Sequence, residues 1–210
     1  MDFHSLTEAV ELFRSKDQAK RRQAVDIAAG LGSAGAVALL IKSIQDQSWS
    51  LREYSVGKIA LLGDSAVAPL CRILKDGVWY ARAAAAQSLG LIGNGSALIH
   101  LIPLTTDPNR SVADSAIQAA QSLIGKCGIK ELCLLGAGLE SEPRRRLLEL
   151  ALQTDREIFL GLEENLKSVP RPEQAGKERD DGSLATDLQS LRRDIRSLFR
   201  QGARVEYDEP

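Results

Sequence analysis

The side chains that most often do chemistry are few and scattered in this chain. It has two histidines, His4 and His100, and neither has an Asp or Glu at a metal-ligand spacing. The converging donors that hold a catalytic metal are therefore not expected. The three cysteines, Cys71, Cys127 and Cys133, are an odd number at no metal spacing, and read as buried free thiols in a reducing cytoplasm. Gly30-Leu31-Gly32-Ser33-Ala34-Gly35 spells the dinucleotide fingerprint GxGxxG. That motif works after a strand and at the start of a helix, whereas here it ends an alanine-rich helix and reads as a helix–turn–helix junction. Gly63-Asp64-Ser65-Ala66 lacks the second glycine of a nucleophile elbow. Glu163-Glu164 and Asp180-Asp181 are sequence neighbours, which do not face each other on a helix, so they read as solvated charge and not as an acid/base pair. No catalytic residue, cofactor or metal is expected.

The recognition-type residues are better organised. Trp49 and Tyr54 lie in one segment, Trp79 and Tyr80 in the next, and the two tryptophans hold equivalent places about thirty residues apart. Trp, Tyr and Arg are the usual anchors of an interface. These aromatics either fill gaps between alanine-rich helices or form a strip facing a ligand. With Arg52, Glu53, Arg82 and Arg110 they make the candidate binding set, namely Trp49, Arg52, Glu53, Trp79, Tyr80, Arg82 and Arg110. Arg144-Arg145-Arg146 is a local basic cluster, either the solvated start of a helix or a contact for phosphate or an acidic partner.

The elements that position these residues repeat. A phrase of Asp, Arg, an alanine-rich stretch and Leu/Ile-Gly runs from Asp46 and Arg52 to Leu62-Gly63, and from Asp76 and Arg82 to Ile92-Gly93. An earlier copy goes from Asp17 through Arg22 to Leu31-Gly32, and a degraded one starts at Asp107, with its arginine slot near Val112-Ala113. A period in this range belongs to stacked helix pairs, each burying its apolar face against its neighbours. The spacing predicts helices over 36–44 and 49–62, 66–74 and 78–92, 97–104 and 109–124, and 129–139 and 143–153. Gly32, Gly63 and Gly93 stand where a left-handed C-cap favours glycine. Asp107-Pro108 reads as an N-cap followed by proline, and Ser141 before Pro143 as a looser version of the same signal.

These residues resemble HEAT repeats of the short bacterial kind, the PBS-lyase HEAT-like repeats, over roughly 17–139 and most closely over 46–93. There Asp46/Arg52 and Asp76/Arg82 match the paired Asp and Arg of that family, and ARAAAAQSLGLIG its central phrase. The resemblance implies an all-α, right-handed HEAT-like α-solenoid of about five helix pairs. It also implies that the Arg-bearing helices line the concave face, near 48–62, 77–92 and 109–126, and that Asp/Arg pairs form a ladder between repeats. Arg52 and Arg82 are then structural first. An arginine fork suits that role because it can bond a carboxylate and helix-end carbonyls together. The family's name points to bilin lyases of phycobiliproteins, but fold alone does not assign an activity.

The ends depart from the pattern, as terminal repeats do. Capping helices are expected near 4–16, with Leu6, Ala9, Val10 and Phe13 on one face, and near 143–167. The solenoid would span 1–167. Residues 168–183 (SVPRPEQAGKERDDGS) read as a flexible linker. Residues 184–210 would form a short amphipathic helix and an acidic tail, with Leu188, Leu191, Ile195 and Leu198 on a heptad-like seam beside Phe199. Such a helix is too short to stand alone, so it should dock, either in cis as an autoinhibitor or in trans on a partner or a second copy.

Net charge is −1, from 27 basic and 28 acidic residues, and gives no field toward nucleic acid. Apolar runs stop short of membrane-spanning length, and the N-terminus lacks the apolar core of a secretion signal. The function expected is a non-catalytic protein-interaction scaffold or adaptor in the cytoplasm, holding a protein or peptide on its concave face. The alternative is a bilin lyase subunit or phycobiliprotein chaperone.

Overall fold

An apolar load carried by alanine and leucine favours helices that approach closely. The computed structural model describes residues 2–167 and 169, and its regular elements are all helical. Among the described residues eleven α-helices follow one another: α1 (Asp2–Phe13), α2 (Gln18–Leu31), α3 (Ala34–Ser43), α4 (Trp49–Ala60), α5 (Val67–Asp76), α6 (Trp79–Ile92), α7 (Leu98–Leu104), α8 (Arg110–Lys126), α9 (Ile129–Ala137), α10 (Ser141–Thr154) and α11 (Arg156–Lys167). Taken consecutively they make five pairs with α11 after the last. Tight 3-10 turns, Gly63–Ala66 and Gly95–Ala97, lead into α5 and α7. The expected linker, apart from Val169, and the expected C-terminal helix with Leu188, Leu191, Ile195, Leu198 and Phe199 lie outside the described residues.

Local chemistry sets the boundaries. Gly32, Gly63 and Gly93 have φ of 60, 56 and 83°, the left-handed conformation that L side chains resist. The first helix stops at Phe13, short of residue 16, because Ser15 and Asp17 already build the next start. Ser15 Oγ accepts from the Asp17 amide, and the Asp17 carboxylate accepts from the Ala19 amide at 2.8 Å. The expected Asp107 cap moves two residues on. Asn109 Oδ1 accepts from the Ser111 amide at 3.1 Å, while Asp107 Oδ1 accepts from the Asn109 amide. Ser141 is likewise the first helical residue of α10 and not its cap, which falls at Glu140.

The chain divides into two compact units, Met1–Leu123 and Ile124–Pro210, with the break inside α8. In the first unit the even-numbered helices α2, α4 and α6 pack on one another far more closely than the odd-numbered ones do. Small residues permit this. Ala81, Ala83, Ala84, Ala85, Ala86 and Gly90 of α6 are all buried. At Gly90 an added Cβ would lie 2.9 Å from Ala119 Cα of α8, so the two backbones nearly touch. Leu51, Ile59, Leu70, Leu89, Leu98 and Leu101 fill the space between the layers. Buried hydroxyls fold back onto their own helices: Ser55 Oγ donates to Leu51 O at 2.7 Å and Ser88 Oγ to Ala84 O at 2.8 Å.

In the second unit α11 packs on both α9 and α10 over Leu132, Leu135, Leu147, Leu150, Leu162 and Leu166.

The close packing predicts opposite signs for one substitution at two helical glycines. Gly90→Ala should destabilise by about 1–3 kcal/mol, because its methyl meets backbone. Gly57→Ala in α4, where a Cβ meets nothing within 4 Å, should stabilise by about 0.5–1 kcal/mol through helix propensity. Urea unfolding of both variants checks this, and a stabilised Gly90→Ala would refute the tight approach.

Candidate functional site

The fourth residue of a second helix is a special position. It is Arg21 in α2, Arg52 in α4, Arg82 in α6 and Arg144 in α10, while α8 carries Ala113 there. Arg82 shows what the position does. Nη1 reaches back to Gly77 O at 3.1 Å, and Nη2 reaches forward to both oxygens of Asp107, 25 residues later, at 3.0 and 2.7 Å. Arg21 bonds Asp46 in the same way, again across 25 residues, at 2.6 Å. Each of these aspartates also accepts from the amide two residues on, Ser48 or Asn109, at 2.8 Å. One carboxylate thus holds the turn into its own second helix and receives the arginine of the repeat before. The Arg82–Asp107 pair is part-buried, with the side chains 21% and 7% exposed, so water screens it less than a surface pair.

This ladder links neighbouring repeats, as the resemblance implies, through Arg21–Asp46 and Arg82–Asp107, and it corrects the expectation in two ways. The first copy uses Arg21; Arg22 instead donates to Ser50 Oγ and lies over the Tyr54 ring at 5.2 Å. Arg144 is a buried rung and not a solvated helix start. Its Nε donates to Gly136 O at 2.9 Å, its Nη2 to Ala137 O at 3.1 Å, and its Nη1 to Val169 O, 25 residues on, at 3.2 Å. Arg145 beside it forms only exposed pairs with Glu142 and Glu149.

Arg52 is the exception. Its Nη1 donates to Asp46 O at 2.7 Å and Gln47 O at 2.9 Å, as the slot requires. The acid in the place of Asp46 and Asp107, three residues before the next second helix, is Asp76, and it does not pair with Arg52 among the described residues. The guanidinium lies instead over the Tyr80 ring, 4.5 Å from its centroid. Tyr80 is braced edge-on by Trp79, centroids 5.6 Å apart at 82°. The cause is the α5–α6 junction. Helix α5 continues through Asp76, leaving Gly77 and Val78 alone to make the turn, and a Cβ at Gly77 would sit 2.6 Å from Ile73 O. Asp76 is exposed, and its carboxylate makes no hydrogen bond or ion pair among the described residues.

The outer surface of this layer carries the remaining candidates. Trp49, Trp79 and Arg110 are each the first residue of their helices, α4, α6 and α8. Trp49 is 69% and Trp79 48% exposed, so neither is a gap-filler. Arg110 points into solvent with only a 3.5 Å pair to Asp114, and Glu53 is exposed. Between α2 and α4 a polar cluster closes the seam: Tyr54 Oη donates to Asp26, and Lys58 Nζ lies 2.6 Å from the same carboxylate. Desolvation pushes the Asp26 carboxyl up, but Lys58 and Tyr54 outweigh it and hold the group below its ordinary value.

The other chemistry-bearing residues do not assemble. No group of three or more His, Cys, Asp or Glu side chains converges among the described residues. The thiols are free and half-buried. Burial pushes Cys71 up to about 11, and burial together with Glu131 pushes Cys127 to about 11, so both stay protonated at neutral pH. Among the described residues no helix is long and apolar enough to cross a membrane.

These features define an all-α stack of repeated helix pairs joined by an arginine ladder. Residues 37–121, from α3 into α8, match the family described as HEAT repeats. No curated protein matches the chain. Among solved structures, a designed armadillo repeat protein in complex with the peptide (KR)4 is 18% identical, with 90% of this chain and 99% of that chain covered at a TM-score of 0.39. A second designed armadillo repeat protein is also 18% identical, with 89% and 98% covered at a TM-score of 0.37.

The ladder separates two adjacent arginines. Arg144→Ala removes a buried fork from three carbonyls and should destabilise by about 2–4 kcal/mol. Arg145→Ala breaks exposed pairs and should cost less than about 0.5 kcal/mol. Thermal or urea unfolding checks the contrast, and equal losses would refute the assignment of Arg144.

Proposed function

We propose that the chain is a non-catalytic scaffold that binds another protein or a peptide on the outer surface of its second helices, with Trp49 and Trp79 as anchors. The observation that carries this reading is the pair of exposed tryptophans at one register of successive repeats. A large aromatic left in water gains substantially when a partner covers it, and such residues dominate interface energetics. A stack bends toward its tighter layer, and the tighter layer here is the even-numbered one. The proposed surface is therefore the concave side of the first unit, a preformed platform that needs little ordering to bind.

A binding role is favoured over the bilin-lyase alternative by how the charged groups of this layer are engaged. Arg21, Arg82 and Asp26 hold helices to one another, and the thiols of Cys71 and Cys127 stay protonated. Three free cysteines fit a reducing, cytoplasmic compartment. The sequence of 184–200, with Leu188, Leu191, Ile195, Leu198 and Phe199 in a heptad-like pattern, supplies a second docking or self-association element in this reading.

Trp49→Ala and Trp79→Ala should each weaken capture of the partner from native lysate by about tenfold or more. Both residues are exposed, so the melting temperature should move by no more than about 2 °C. Capture unchanged in both variants would defeat the assignment of this face.

A further inference from the structure

We infer that the partner delivers one carboxylate, from an Asp or Glu side chain, to the guanidinium of Arg52 where it lies over Tyr80. The inference rests on the reading of the second-helix surface as a docking face and names the chemistry of what docks there.

Three arginines at the same position of their helices have all found forward acceptors. Arg21 and Arg82 take aspartates, and Arg144 takes a backbone carbonyl, each 25 residues on. Arg52 has backward bonds like those of Arg82 and Arg144 but no forward one: its Nη2 has no acceptor among the described residues. The acid in the place of Asp46 and Asp107, three residues before the second helix, is Asp76, and it makes no ion pair with Arg52. Asp76 is turned to solvent as the last residue of α5.

The fork of Arg52 is set up for a planar acceptor. Two carbonyls fix Nη1, and the Tyr80 ring covers one face of the guanidinium at 4.5 Å. Trp79 braces that ring from its edge. A stacked, half-dehydrated guanidinium held in one plane loses little freedom when it takes a bidentate carboxylate. The partner's acid would sit among exposed aromatics, since Trp49 precedes Arg52 by three residues and lies on the same side of α4. Exposed Glu53 follows directly and Asp76 ends α5, so a run of acids is disfavoured. The fitting segment has a single Asp or Glu beside a large apolar side chain.

The test uses the full chain and a random dodecapeptide library displayed on phage. Peptides selected on the wild type should share one acid next to a large apolar residue. In synthetic copies, changing that acid to its amide should weaken binding about tenfold on the wild type, and less than twofold on Arg52→Gln. The same loss on both proteins would overturn the inference. Should Arg52→Gln not fold, the comparison is made on Arg52→Lys, whose ammonium cannot form the fork. The acid's effect should then shrink at least threefold, and an undiminished effect overturns the inference. Selected peptides without a shared acid, yet sensitive to Trp79→Ala, would overturn the inference and leave the docking face standing. Failure to select peptides, or peptides indifferent to both tryptophan substitutions, would remove both.

Discussion

An arginine fork at the fourth residue of a repeat's second helix meets two requirements of stacked helix pairs. The carbonyls at the end of the first helix need donors, and neighbouring repeats need a contact that fixes their register. Arg82 answers both through Gly77 O and Asp107, and Arg144 donates to the carbonyls of Gly136, Ala137 and Val169. Alanine and glycine on the even-numbered helices bring the backbones close, but such smooth surfaces could slide past one another. The charged rungs, each anchored to a turn, give the stack its register, and the rest of the architecture follows from it.

Much of this was legible along the sequence, and what was not is informative. The period, the glycines at Gly32, Gly63 and Gly93, and the shared register of Trp49 and Trp79 are local features, readable from spacing alone. The partner of Asp46 was not readable so. The phrase sets Asp46 beside Arg52, but the carboxylate bonds Arg21, a residue of the preceding repeat. The choice of Arg21 over Arg22 turns on the residue at which α2 begins, a difference within the usual uncertainty of helix starts. Arg144 was hidden among three arginines. Counting from the first residue of each helix would have picked it out, since it stands fourth like the others. Asp107-Pro108 looked like a cap because Asp and Pro favour helix starts, yet Asn109 caps α8 and leaves Asp107 free to receive Arg82.

The irregular repeat is where structure and proposed function meet. At the α5–α6 junction the turn shortens to Gly77 and Val78, Asp76 ends α5 facing solvent instead of joining the ladder, and an aromatic pair takes over the face of Arg52. A rung exchanged for a cation–aromatic stack keeps some attraction between α4 and α6 while leaving donors turned outward. Sites of recognition often break the local rule that the rest of a fold obeys, and here the break falls beside the two exposed tryptophans.

The ladder itself is tested most directly by a double-mutant cycle on Arg82→Ala and Asp107→Ala, read by urea unfolding. With the pair part-buried and both Asp107 oxygens accepting from Arg82 Nη2, the coupling should be about 1–3 kcal/mol. A coupling below about 0.3 kcal/mol would mean that the two residues act independently and that hydrophobic packing alone sets the register of the repeats.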